Sequence, residues 1–539
     1  MSHVPKELAQ DFETIMDWGV SNLNKVIAID SQSDENSTSI PSSEGQKVLS
    51  AELKCYFEEM GYQTESDDFA NLLVRIPSNK PEGDTTPSIA MMVHLDTSLG
   101  TFPIPKLLET PAWDGSKLSF PENDRLHVTT EVYPETAFFV GQDLLHGTGV
   151  SPVGLDNKLG MCEIMTLAQL LHANPEIPHG EIFLVFRPDE EIGRMEAVVG
   201  LADTFVQHGI RYGYTIDGLE PFEINVENFN ASRARVDITG KTLELAPSEV
   251  VKEVALQVYG VKSHGATAKA EGHRNTTVIF TEAMQKLLER DDVLPVDFAT
   301  DPIAEVNAKV TFWLRGNDDA AILQAKEALT SAFEGALAEH RLRGATIEYS
   351  ELKSIDAGTA YTDEIRQVAR HIQAFFDTPG VAPLLSEHSE HYEGYTNPYF
   401  VERLEANKVQ LHYRVRAFTP EECQKREEHL ESVCAAGGEH LSIAIQQQYV
   451  NMGPALASFP ELVTWAKQAA EAVGVEPVER PIRGGTGVDP FLDKGVPIAN
   501  LGTGYFAPES EKEFTSRQIL ARHVLWLLAL VQGIKEKTS

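Results

Sequence analysis

Five short segments carry residue types that can do chemistry together. In MMVHLDTS, residues 91–98, an apolar run ends in His94-Leu95-Asp96. Residues two apart on a strand share a face. Asp96 is therefore expected to accept the second imidazole proton of His94, as carboxylates do behind metal-bound histidines. In Gly154-Leu155-Asp156-Asn157-Lys158-Leu159-Gly160 the carboxylate of Asp156 can bridge two metal ions, or it can cap the helix that follows. In Phe186-Arg187-Pro188-Asp189-Glu190-Glu191-Ile192-Gly193, three successive acids follow an apolar run. Such a cluster is costly unless cations neutralise it, although a solvated acidic turn would read the same way. Adjacent side chains on a turn diverge, so of Glu190 and Glu191 one can ligate while the other takes a proton from water. Asp217 closes a further apolar run, YTIDG. Finally, Arg483-Gly484-Gly485-Thr486-Gly487 and Gly502-Thr503-Gly504-Tyr505 combine close backbone approach to a ligand with an arginine for a carboxylate. One histidine and three or four carboxylates at successive strand ends are the make-up of a two-metal hydrolytic site, with ions about 3.5–4 Å apart.

Those strand ends imply the scaffold. Apolar periodicity predicts helices over 6–30 and 44–61 and strands over 71–76, 88–93, 181–186 and 212–216, with a helix at 160–172 between two of them. Alternating strands and helices point to an α/β domain with a largely parallel sheet, whose ligands collect at the carboxyl ends of strands. After residue 230 the pattern changes. ASRARVDITG and VALQVYGV alternate apolar and polar residues, as half-buried antiparallel strands do, and helices follow at 276–290 and 318–340. The α/β pattern returns with helices at 460–473 and 516–534. The reading is a catalytic domain in two parts, 1–229 and 451–539, interrupted by an α+β domain at 230–450. Within the insertion, KVTFWLRGNDDAAILQAKEAL (309–329) matches QLHYRVRAFTPEECQKREEHL (410–430) without gaps, Arg315 falling on Arg416. Both read strand, arginine, turn and helix, the mark of a structural repeat.

A chain of 539 residues exceeds one hydrophobic core. With 42% apolar and 23% charged residues it is ordinary globular composition. A net charge of −36 repels nucleic acid and anionic lipid, so neither is expected as a partner. Cys55, Cys162, Cys423 and Cys434 are scattered, as in a reducing compartment. No apolar run is long enough to span a bilayer, and acidic residues occupy the place of a signal-peptide core. A cytoplasmic location and no membrane partner are expected.

HLDTS, GLDNKLG, PDEEIG, YTIDG, VENFNAS, SHGATAK, EHYEGY and PIRGGTG, in that order, resemble segments of the peptidase T group of tripeptide aminopeptidases, within the co-catalytic zinc aminoacylase and carboxypeptidase family. The resemblance runs from about residue 10 to 535, interrupted by an insertion. It implies a zinc-exopeptidase-like α/β catalytic domain and a ferredoxin-like lid. Carried over residue by residue, it implies His94 and Asp217 on one metal, Asp156 bridging, Glu191 on the second metal, Asp96 orienting His94 and Glu190 as general base. His264 would stabilise the oxyanion, and Arg416, Arg483 and Asn228 would contact substrate. The implied cofactors are two divalent ions, zinc first, and the implied substrates are short peptides cut at the amino end. A dipeptidase, deacetylase or aminoacylase would use the same metal site.

The chain departs from the family pattern twice. A metal-binding histidine is expected four residues before the pair Glu513-Phe514, and Glu509 stands there; no histidine lies between His440 and His523. Glu509 is expected to take the ligand role, giving one histidine and four carboxylates, a harder site that also accommodates manganese or cobalt. The competing expectation is a protein of this fold with an incomplete second metal site and no catalysis. The lid is also about 100 residues longer than the group requires. If that excess is a duplicated ferredoxin-like unit, the lid histidine can act within one chain and the protein works as a monomer; otherwise a homodimer is expected.

Overall fold

The computed structural model describes residues 11–245, 250–356 and 360–535. Positions 6–10 of the first expected helix lie outside them. The chain divides into two compact units, Met1–Asn228 with Val450–Ser539, and Phe229–Tyr449.

The first unit is built on an eight-stranded sheet, ordered Gln63–Ser66, Leu72–Ile76, Ile182–Arg187, Ile89–His94, Tyr212–Gly218, Ile498–Gly502, Glu223–Asn225, Val478–Glu479. It is mixed rather than largely parallel. The four middle strands from Ile182–Arg187 to Ile498–Gly502 run parallel, whereas the strands Gln63–Ser66 and Leu72–Ile76 join antiparallel at one edge and Glu223–Asn225 at the other. Ile89–His94 and Ile182–Arg187 are buried at every residue, which is why IAMMVH and IFLVFR read as unbroken apolar runs. Helices Phe12–Ile27, Leu155–Ala173 and Arg517–Gly533 pack on one another, and Glu461–Ala472 packs on the last. Phe57, on the helix Glu44–Glu59, meets Phe186 with ring centroids 5.6 Å apart.

The second unit holds two antiparallel sheets whose four main strands have identical connectivity, one of them with a short fifth strand, Lys353–Ser354, on Val250–Tyr259. One runs strand Val250–Tyr259, helix Thr276–Gln285, strands Val293–Thr300 and Ala308–Gly316, helix Asp319–Leu337, strand Thr346–Tyr349. The other runs strand Asn230–Thr239, helix Glu364–Asp377, strands Tyr395–Glu405 and Lys408–Ala417, helix Pro420–Gly437, strand Leu441–Tyr449. In both, the spatial order is second, third, first, fourth strand, the ferredoxin-like βαββαβ arrangement. The first set is inserted between the opening strand and first helix of the other. The strand Asn230–Thr239 alternates buried and half-buried residues after its first turn, as its sequence predicts.

The ungapped match of 309–329 to 410–430 falls on the third strand and second helix of each set. Asp318 and Thr419, aligned in that match, both cap their helices, accepting from Ala321 N at 2.9 Å and Glu422 N at 3.2 Å. Arg315 pairs with Val251 and Arg416 with Ala231, each the second residue of the opening strand. The second strands of the two sets face one another, Val401 N donating to Thr300 Oγ1 at 2.9 Å, and the first helices Thr276–Gln285 and Glu364–Asp377 pack together.

Candidate metal and catalytic site

The parallel strands of the first unit end together and present their polar residues to one place. His94 ends its strand; its Nε2 lies 2.9 Å from Asp156 Oδ1 and 3.4 Å from Asp217 Oδ1. One donor atom from each of His94, Asp156 and Asp217 falls within 4.8 Å of the others. Burial opposes a charge on His94, but Asp217, Asp156 and Asp96 overcome it and raise its pKa well above the ordinary value. Gly160 makes this meeting possible. A Cβ there would stand 2.0 Å from the carbonyl oxygen of Ile216, so only glycine lets the helix Leu155–Ala173 lie against the strand bearing Asp217. The Asn157 amide donates to Asp217. Asp156 and Asn157 leave helical φ/ψ inside Leu155–Ala173, so Asp156 stands at a kink ahead of the regular helix.

Asp96 lies two residues beyond His94, just past the end of the strand. His94 Nδ1 meets the main-chain oxygen of Asp96 at 2.8 Å and its carboxylate at 3.4 Å. Both carboxylate oxygens also accept from the next loop, from Glu190 N at 2.9 Å and Glu191 N at 3.0 Å. Asp96 thus fixes the backbone of the acidic pair. The neighbouring Asp189 lies 3.8 Å from Arg194 Nη1. It is fully buried and accepts from Ser42 N, Ser42 Oγ and the Gln46 amide ahead of and within the helix Glu44–Glu59.

Glu191 Oε1 is covered and has no hydrogen-bond partner. Burial, then the carboxylates of Asp156 and Glu509, push its pKa well above the ordinary range. Glu509, half-buried at a positive φ of 55°, therefore stands where Glu191 feels its charge. Glu513 holds the surroundings together: its carboxylate accepts from Gly154 N at 2.8 Å, Leu155 N at 3.2 Å and Glu509 N at 3.3 Å. Burial raises its pKa to about 8 despite those donors. A covered oxygen without a partner among crowded carboxylates fits divalent cations, with hard oxygen donors and one imidazole.

The remaining candidates are placed as follows. Arg483 is 8% exposed in the glycine loop of the first unit. The Asn228 side chain is buried, donating to Val450 O at 3.3 Å and accepting from Met452 N at 2.6 Å. Arg416 belongs to the second unit, where its Nη1 donates to Val415 O at 2.9 Å and Gln448 Oε1 at 3.2 Å over the Tyr449 ring. His264 lies half-buried in the second unit on the loop after Val250–Tyr259, its Nδ1 accepting from Ala266 N at 3.1 Å. His523 is fully buried in the closing helix, stacked on Phe222 and accepting from Phe222 N at 3.2 Å, so it is no substitute for the missing late histidine.

Residues 139–533 match the sequence pattern of peptidase family M20/M25/M40. The chain belongs to that family. It is a hydrolase of peptide bonds, and its donor set fits the metal-dependent kind. It is similar to a peptidase T of Macrococcus caseolyticus, 25% identical over 96% of this chain and 98% of the relative. Solved structures of like fold include a Staphylococcus aureus tripeptidase (14% identity, 97% and 99% coverage, TM-score 0.53) and a Vibrio alginolyticus aminoacylhistidine dipeptidase (16%, 96% of both chains, TM-score 0.54). Among the described residues, no helix of this peptidase is long and apolar enough to cross a membrane.

Two residues of the site carried no role in the sequence reading. Tyr505 is buried beside Asp156, Glu513, Asp217 and Glu191, and its hydroxyl has no hydrogen-bond partner. Arg187, 2% exposed, donates to Thr486 O at 3.0 Å and lies 3.3 Å from Glu190 Oε1. Its signal was present in the sequence: an arginine closing the apolar run IFLVF must find partners where the strand ends.

Proposed function

We propose that this protein is a two-metal aminopeptidase that removes the first residue of short peptides. The supporting observation is the position of Asp156. It stands with His94 and Asp217 at one group of donors and bears on Glu191, together with Glu509, at another. One carboxylate shared between two groups that each call for positive charge is the arrangement of a dinuclear centre. His94, Asp156 and Asp217 would hold one ion, and Asp156, Glu191 and Glu509 the other. Bound there, two divalent cations supply the charge that acidifies water and polarises a scissile carbonyl. Zinc suits the imidazole, and the oxygen-rich set also suits manganese or cobalt.

Asp96 fixes the Glu190–Glu191 backbone; Glu191 would ligate while Glu190, beside Arg187, stays off the metal. Glu190 takes the proton of the attacking water and returns it to the leaving amine. His264 stabilises the oxyanion, and Arg416, Arg483 and Asn228 contact the substrate. The two ferredoxin-like sets share one strand order and are joined through equivalent strands and helices. They support a duplication that lets His264 act within one chain, as a monomer.

Hydrolysis of a tripeptide, its amino-acetylated form, a dipeptide and an N-acetyl amino acid tests the reading. The free tripeptide should be cut fastest, releasing its first residue, and the acetylated tripeptide should resist. Fastest turnover of the dipeptide or of the N-acetyl amino acid would replace the reading with a dipeptidase or an aminoacylase.

A further inference from the structure

The described carboxylates of the site outnumber its cationic side chains, yet a fully buried guanidinium is built into its wall. Arg187 closes the strand Ile182–Arg187 in parallel register with His94. Its main-chain oxygen accepts from Leu95 N at 2.7 Å, so the residue is anchored to the segment that carries His94 and Asp96. Its Nη2 has two partners, Thr486 O at 3.0 Å and Glu190 Oε1 at 3.3 Å. The glycine loop is shaped around it. At Gly487, with φ of 56°, a Cβ would stand 2.4 Å from Nη2 and 2.9 Å from Cζ, so the guanidinium occupies the space a side chain would need.

We propose that Arg187 is the positioning residue of Glu190: it holds the carboxylate that moves the proton in one place and ties it to the glycine loop. This rests on the general-base reading of Glu190. The backbone of Glu190 is already fixed by Asp96, but its side chain has rotamer freedom that Asp96 does not remove. A carboxylate among metal ligands has an alternative use for that freedom, which is to bind an ion itself. The ion pair at a wholly desolvated guanidinium opposes it, because breaking the pair leaves an uncompensated buried charge. The charge also makes the contact directional in a way that a packed apolar side chain would not be. Arg187 touches neither water nor peptide in this account; it acts through Glu190.

The test is a double-mutant cycle on the metal-loaded protein, with tripeptide hydrolysis, metal content and thermal unfolding measured for each variant. Arg187→Met is expected to lower kcat about 10- to 100-fold with KM nearly unchanged, as a misplaced catalytic group does. Arg187→Lys should recover part of that loss. Glu190→Gln should lower kcat about 10²- to 10⁴-fold, and Arg187→Met should then cost nothing further, with two ions still bound in every variant. An equal additional loss in the Glu190→Gln background would overturn the proposal, since Arg187 would then act on the fold and not through Glu190. So would an Arg187→Met protein with normal kcat beside an inactive Glu190→Gln. If Glu190→Gln itself keeps normal kcat, the general-base reading fails and takes this role with it. Should Arg187→Met fail to fold, Arg187→Lys, which keeps the buried charge, carries the cycle with a smaller loss that must likewise vanish in the Glu190→Gln background.

Discussion

At the scale of single residues, the site shows how one carboxylate acquires a task from what reaches it. Asp189, Glu190 and Glu191 are consecutive, yet the first is spent on Ser42 and Gln46, the second meets Arg187, and the third keeps an oxygen without a partner. Only the third environment calls for a metal cation. A different buried group sets an acid sensitivity of the fold. His371, on the helix Glu364–Asp377, has neither ring nitrogen hydrogen-bonded, and burial, with a smaller push from His440, lowers its pKa from 6.5 to about 4. Between those values the unfolded chain binds a proton that the folded chain refuses. This residue's contribution to stability is therefore lost as pH falls from 6.5 toward 4, by about 2 kcal/mol at pH 5. Replacing His371 with leucine should remove that part of the slope. Urea unfolding at pH 7 and pH 5 checks it, and a stability difference between wild type and variant that stays the same at both values would refute it.

At the scale of elements, the close approach of the helix Leu155–Ala173 to the strand Tyr212–Gly218 positions Asp156 against Asp217. Gly160→Ala forces a methyl group into the Ile216 carbonyl. It should destabilise the protein by about 1–3 kcal/mol and weaken metal binding, read by urea unfolding and by metal titration. Unchanged metal affinity would show that this contact does not set the site. Three of the four parallel strands and most of the longer helices of this unit were legible because buried strands leave apolar runs, whereas the strand Ile498–Gly502 and the helix Glu196–Gln207 were not read. The antiparallel strand Leu72–Ile76 was read as well, but short edge strands such as Gln63–Ser66 carry too few residues for a pattern. The Asp96 carboxylate lies 3.4 Å from His94 Nδ1, and its second task, holding Glu190 N and Glu191 N, has no signal in the local sequence pattern. Tyr505 and Arg187 have some partners far away in sequence, Asp217 beside Tyr505 and Thr486 for Arg187, and no local pattern announces those.

At the scale of the whole molecule, the second unit contains two copies of one topology joined through equivalent elements, and this accounts for the extra length of the insertion. On the proposed single-chain reading, both halves of the lid come from one chain. Sedimentation should give a particle near 59.5 kDa, and mixing His264→Ala with Glu190→Gln chains should restore no activity. A particle of twice that mass whose mixture regains activity would contradict the single-chain reading. The repeat was legible from the aligned segments around Arg315 and Arg416, but the way one copy is inserted within the other was not, since only strand pairing reveals it.

The central claim, a dinuclear centre completed by Glu509, is tested most directly by metal stoichiometry. The protein is stripped with a chelator, reloaded with zinc and freed of excess ion, then analysed for bound metal beside a Glu509→Ala variant. The account predicts two ions per chain in the wild type, one in the variant, and loss of tripeptide hydrolysis with the second ion. A wild-type chain that takes a single ion, or a variant that still holds two and hydrolyses at the normal rate, would contradict it.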